Sequence, residues 1–207
     1  MKYKYPYALF GNGPKPTHPA VKRRLNLINT FFCVDGGADK LIEMGYKPNL
    51  ILGDLDSIDK RKNKYGCDII FLEDQAKNDL EKSISWCIDQ GIKELELFGF
   101  SHGRDDHHLA NILIMKDFSS KVKIKMYTNN SLLLFVNKYF TFSSNPNQKI
   151  SIISFNQETK ITTTGLKYSL QNSSLISPSH GISNIATGTN FTVKPTDWIL
   201  VIIHYNR

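Results

Sequence analysis

Cysteine is scarce in this 207-residue chain, and none of it is spaced to cross-link or to hold zinc. Cys33, Cys67 and Cys87 stand far apart and form no C-x-x-C pair. An odd number without metal-type spacing argues against a disulfide framework and a structural zinc, and the apolar segments around Cys33 and Cys87 predict buried thiols in a reducing, cytoplasmic compartment. Long hydrophobic runs are missing too. No segment approaches the roughly 20 consecutive apolar residues of a membrane helix, and the broken apolar run after MKYKYPY predicts no signal peptide. No G-x-x-x-x-G-K-[ST] motif occurs, which excludes a P-loop kinase. Repeats, low-complexity tracts and RNA-recognition signatures are likewise absent. The net charge of +7 favours anionic partners. Its basic residues are dispersed, with only VKRR and KRKNK as short clusters, which weighs against nucleic acid and is compatible with a phosphate-bearing small molecule.

What is present divides into two periodicities. Up to Tyr127, short apolar runs alternate with amphipathic stretches. Strands are expected at Tyr3–Phe10, Phe31–Asp35, Leu50–Leu52, Asp68–Leu72, Glu94–Phe98 and Val122–Tyr127. Helices are expected near Pro19–Leu27, around Leu41–Met44, over Asp79–Gln90 and over Asp106–Phe118. Such alternation predicts βαβ units, a mostly parallel, Rossmann-like sheet covered by helices. Beyond Tyr127 the helical period disappears. Segments Ser131–Val136, Tyr139–Phe142, Lys149–Phe155, Lys160–Thr163, Leu166–Leu170, Phe191–Val193 and Trp198–Tyr205 are β-branched or aromatic, with Asn, Pro, Gly and Ser between them. They predict an all-β sandwich or barrel, and place the boundary near Asn129-Asn130, giving domains 1–129 and 130–207.

Four polar clusters fall just past the carboxyl ends of α/β strands, where doubly wound sheets hold ligands. Gly11-Asn12-Gly13 is not a dinucleotide fingerprint, since Pro14 and Pro16 follow, and on its own reads as a tight turn. Asp35-Gly36-Gly37-Ala38-Asp39 can serve either as a phosphate-approaching turn or as a sterically required one. Gly53-Asp54-Leu55-Asp56-Ser57 puts carboxylates at i and i+2, suited to magnesium but equally to an Asx-turn. Asp79 opens a predicted helix, either as its N-cap or as a third carboxylate, with Lys82 one turn on. Between Gly99 and Asn111 lie Arg104, a forked donor suited to phosphate, and Asp106, a candidate N-cap; His107 and Asn111 share a helix face.

Taken together, DGGAD, GDLDS, the D-Q-x-x-x-D-x-x-K run from Asp74 to Lys82 and G-R-x-D-H-x-L-A-N from Gly103 to Asn111 resemble the thiamin pyrophosphokinase family. The likeness continues through Gly165–Leu170 (GLKYSL) and Ser179–Asn184 (SHGISN), and so covers nearly the whole chain. The resemblance implies an ATP-binding α/β domain, a thiamin-binding β domain and a homodimer. It implies Mg²⁺ ligands at Asp54, Asp56 and Asp79, and catalytic roles for these with Lys82 and Arg104. Asn12, Asp35, Gly36, Gln75, Asp106 and Asn111 would surround ATP; Ser183, Asn184 and Trp198 would meet thiamin. Three positions depart from the family pattern: Asn78 replaces Thr, Leu55 replaces Phe, and Ile185 stands where an acid often follows the Ser-Asn pair. The α/β motifs would also suit another alcohol, such as a hydroxymethyl pterin; the β half favours thiamin.

Overall fold

The computed structural model describes residues 2–53, 65–74, 76–101 and 103–206. Asp54, Asp56 and Gln75 lie outside the described residues. The chain divides into two compact units, Met1–Asn129 and Asn130–Arg207. Among the described residues no helix is long and apolar enough to cross a membrane.

In the first unit the elements run β1 (Tyr7–Phe10), α1 (Pro19–Leu25), β2 (Thr30–Val34), α2 (Gly37–Glu43), β3 (Leu50–Gly53), β4 (Asp68–Phe71), α3 (Asp79–Asp89), β5 (Glu94–Phe98), α4 (Asp105–Phe118) and β6 (Lys123–Tyr127). The strands pair in parallel in the order β6-β5-β1-β2-β3-β4. The central strands β1, β2 and β3 are buried along their whole length, as strands covered on both faces must be. Successive strands step outward from β1 through β2 and β3 to β4, and the chain then returns to place β5 on the other side of β1. This reversal creates a crevice between the carboxyl ends of β1 and β5.

Strand β1 begins later than the apolar pattern predicts. Pro6 has no N–H to give a ladder, and its carbonyl instead accepts from the Asn29 and Thr30 N–H groups. Helix α3 is amphipathic as expected, burying Leu80, Ile84 and Cys87 at helical spacing. Its N-cap is Asn78, whose side chain accepts from the Glu81 N–H at 2.9 Å, so Asp79 is the first helical residue rather than the cap. Asp106 is not a cap either. Arg104 occupies that place before α4 without a side-chain capping bond.

The second unit contains β7 (Ser131–Val136), β8 (Phe140–Ser143), β9 (Lys149–Ser154), β10 (Ile161–Thr164), β11 (Asn184–Ile185), β12 (Asn190–Pro195) and β13 (Ile199–His204). Two antiparallel arrangements result, β11-β9-β13-β7 and β10-β12-β8. Alternate residues from both close on one core: Ile199, Val201 and Ile203 of β13 with Ile150 and Ile152 of β9, and Phe191 and Val193 of β12 with Phe142 of β8. The sandwich expected from the short strands is therefore present. Leu166–Leu170 is not a strand. Its backbone is held by side chains and loop bonds instead: Thr163 Oγ1 accepts from the Leu170 N–H, and Asn184 brackets Tyr168.

Candidate active site

The crevice holds a cavity of about 580 Å³, lined by groups from the ends of β1, β2 and β5 and from the starts of α3 and α4. Among the described residues, five of the expected site residues line it: Asn12, Asp35, Asp79, Arg104 and Asn111. Gly36 joins them indirectly, because a Cβ there would come within 2.6 Å of the Asn12 side-chain nitrogen.

Close backbone packing shapes the floor. The Gly13 N–H donates to the Gly99 carbonyl at 2.7 Å, and a Cβ on Gly13 would lie 2.4 Å from that same oxygen. The glycine after β1 is thus needed for approach to the β5 loop, which goes beyond the tight turn its sequence suggested. Asp35 is buried and adopts a positive φ of 44°, an uncommon conformation for a residue with a side chain. Its carboxylate sits where a side chain on Gly53 would have to be, 1.8 Å from the Cβ position. Gly53 (φ 152°) therefore lets the end of β3 run directly against Asp35.

Charges in the cavity are held by other charges. Lys82 is buried on α3, with Nζ 2.7 Å from Asp79 Oδ1 and 3.4 Å from the Leu72 carbonyl. The Asp79 contact is close enough for ion pairing but is not aligned as a hydrogen bond, so this buried oxygen has no hydrogen-bond partner among the described residues. Arg104 grips Asp106 in a fork, Nε at 3.1 Å and Nη2 at 2.6 Å, and Asp106 also accepts from the His107 N–H. The guanidinium holds the Asp106 carboxyl below the usual carboxylate range, and the carboxylate in turn raises Arg104. Asn111 is buried and donates to the Phe100 carbonyl at 2.9 Å, fixing α4 to the loop after β5. Lys40 and His107 also line the cavity and were not singled out as site residues by sequence. Lys40 stands four residues after Gly36 in the Gly-rich turn, a spacing that carries no recognised motif.

Among the described residues no three His, Cys, Asp or Glu side chains form a metal-holding group. Two of the expected ligands, Asp54 and Asp56, lie outside that description.

Comparison with known sequences decides the family. The description "Thiamin pyrophosphokinase, catalytic domain" matches residues 21–128, and "Thiamin pyrophosphokinase, vitamin B1 binding domain" matches residues 138–200. The chain belongs to the thiamin pyrophosphokinase family. It is 25% identical to the thiamine pyrophosphokinase of Bacillus subtilis (strain 168), over 91% of this chain and 98% of that one. It also resembles the crystal structure of the Geobacillus thermodenitrificans thiamin pyrophosphokinase, with 25% identity, a TM-score of 0.81 and 97% of each chain covered. The Candida albicans thiamin pyrophosphokinase shares the fold at 21% identity, with a TM-score of 0.82 over 97% of this chain and 88% of that one.

Within the family's vitamin B1-binding region, Ser183, Asn184 and Trp198 belong to the second unit and are not among the described residues that line the cavity. Ser183 is exposed, with a positive φ of 59°, and its N–H donates to Ser151 Oγ at 3.1 Å. The buried Asn184 side chain makes three hydrogen bonds. Its nitrogen donates to the Tyr168 carbonyl at 2.7 Å, and its oxygen accepts from the Tyr168 and Ile185 N–H groups. The GLKY and SN segments of the family are thereby tied together through one amide. Trp198 is half-buried.

Proposed function

We propose that this chain moves the pyrophosphoryl group of ATP to the hydroxyl of thiamin, giving thiamin diphosphate and AMP. A bond forms between the thiamin oxygen and the β-phosphorus, and the bond between that phosphorus and the α–β bridging oxygen breaks. The observation that carries the reading is the set of charges around the switch-point cavity: Asp35, Asp79 and Arg104 face one space with Lys82 behind Asp79. Transfers of this kind depend on alignment and charge stabilisation more than on covalent help from the protein.

The same site suits Mg²⁺, with Asp54, Asp56 and Asp79 as its holders. Support comes from the buried Asp79 oxygen that lacks a hydrogen bond among the described residues, a hard donor of the kind magnesium takes. When bound, the ion supplies positive charge against the phosphate oxygens. Lys82, buried beside the Asp79 carboxylate, holds it in place. Arg104, oriented by Asp106, presents a fork to the migrating phosphates. Asn12, Asp35, Gly36, Gln75 and Asn111 complete the ATP site, in the α/β domain 1–129.

Thiamin is assigned to domain 130–207 and to Ser183, Asn184 and Trp198, in a homodimer. Asn184 acts there by fixing the backbone around Tyr168. Trp198 offers an aromatic face to the cationic ring of thiamin. A cytoplasmic setting is supported by three free cysteines, of which Cys33 and Cys87 are buried.

The test is product analysis of the purified protein with ATP, magnesium and thiamin. Thiamin diphosphate and AMP are expected in equal amounts. ADP with thiamin monophosphate would replace this reading by an ordinary kinase, and turnover only with a hydroxymethyl pterin would move the acceptor.

A further inference from the structure

We propose that Lys40 is a triphosphate-binding cation of the cavity, beside Arg104, a role that rests on the reading of this cavity as the ATP site. Lys40 lies in α2, one turn past the Gly-rich segment, and lines the same cavity as Asn12, Asp35 and Arg104. Its ammonium donates to the Asn12 carbonyl, and to the Gly13 carbonyl at 2.8 Å. Both acceptors are neutral, and no carboxylate pairs with Lys40 among the described residues.

Among the described residues, the other two lysine or arginine charges at the site are committed. Lys82 is 2.7 Å from Asp79 Oδ1, and Arg104 is 2.6 Å from Asp106 Oδ2. Each of those pairs cancels its own charge at a distance. Lys40 keeps its charge whole, and an ammonium has three donors, so two carbonyls leave one N–H for a ligand. The carbonyl contacts also restrict the flexible side chain before a ligand arrives, which lowers the ordering cost of binding. Among the described groups at the cavity, Lys40, Lys82 and Arg104 balance Asp35, Asp79 and Asp106. Removing Lys40 leaves the balance negative, which is unfavourable for a polyanion.

Lys40 pins the Asn12 and Gly13 carbonyls on one side, while the Gly13 N–H is held by the Gly99 carbonyl on the other. Losing Lys40 through a purely structural role would loosen this loop and weaken every nucleotide alike. Losing a phosphate-binding charge would weaken ATP and spare adenosine. The two roles are therefore separable by ligand.

The experiment measures equilibrium binding of ATP and of adenosine, with magnesium throughout, to the full chain and to Lys40→Met and Lys40→Arg, with circular dichroism as the fold control. Lys40→Met is expected to weaken ATP by roughly 10- to 100-fold, the size of losing a hydrogen bond to a charged group, and to leave adenosine within about twofold. Lys40→Arg, which keeps the charge, is expected to recover most of the ATP affinity. Equal losses for ATP and adenosine, or no loss for either, would overturn the assignment while leaving the cavity as the nucleotide site. If the unaltered chain, folded, bound no ATP, the reading of the cavity would fall and Lys40 with it.

Discussion

The two units of this protein differ in where their charges meet. In the α/β unit ion pairs stand at a cavity, Lys82 with Asp79 and Arg104 with Asp106, beside side chains such as Lys40 and Asn111 that bond the backbone. In the β unit polar side chains hold the backbone of loops and strand ends. Asn184 brackets Tyr168, Thr163 holds Leu170, and the Gln148 side chain donates to the His204 carbonyl. The contrast follows from the sheets. Parallel strands end together at one edge, so the loops after them deliver charged groups to a common crevice. Antiparallel strands of a small sandwich end at both edges, and polar residues there close loops that have no ladder of their own. The lesson is a division of labour in which charge handling belongs to the first unit and acceptor shape to the second.

Substitutions that strike one unit alone sharpen this division. The largest effect is expected from Asp79→Asn. Removing that carboxylate's charge should lower kcat by about 10²- to 10³-fold, the cost of losing one preorganised electrostatic group, with the Michaelis constant for thiamin little changed. A full rate over a magnesium titration would take Asp79 out of the transfer machinery. Next comes Asn184→Ala, which strips partners from the Tyr168 N–H and carbonyl and from the Ile185 N–H. Unfolding stability should fall by about 2 to 3 kcal/mol, as expected when buried polar groups lose their partners. The Michaelis constant for thiamin should rise while that for ATP holds. A matching rise for ATP would break the division.

Trp198→Ala is expected to raise the Michaelis constant for thiamin by about threefold to thirtyfold, the range of a cation–π contact from exposed to desolvated. Unchanged steady-state kinetics would remove the indole from the thiamin site. The smallest effect is on pH. Burial, and then the nearby Lys149 charge, lower the His204 pKa from 6.5. The neutral ring is favoured in the folded chain, so its contribution is complete above pH 6.5 and is lost as pH falls below that through the lowered folded value. His204→Gln should therefore flatten the dependence of Tm on pH below 6.5; an unaltered slope would place the acid sensitivity elsewhere.

Much of the first unit was legible because its signals are local. Apolar runs marked the strands, and each polar cluster fell at a strand end, which made Asp35, Asp79 and Arg104 candidates by position; the family resemblance then grouped them with Asn111. Features set by competition or by distant neighbours were not. Asn78 and Asp79 are both good caps, and only the bond to the Glu81 N–H decides between them. Gly13 reads as a turn until Gly99 is seen against it. Lys40 belongs to no motif, and its importance comes from which carbonyls it meets. In the second unit Leu166–Leu170 has the composition of a strand, yet side-chain bonds from Thr163 and Asn184 take over its backbone. The two-residue β11 is too short for any periodicity to show.

The most direct test of pyrophosphoryl transfer follows the phosphorus atoms themselves. ATP carrying distinct labels on the α-, β- and γ-phosphorus would be turned over once with thiamin and magnesium. The account predicts the β and γ labels together in thiamin diphosphate and the α label in AMP. A γ label alone on the thiamin product, with α and β retained in ADP, would contradict it.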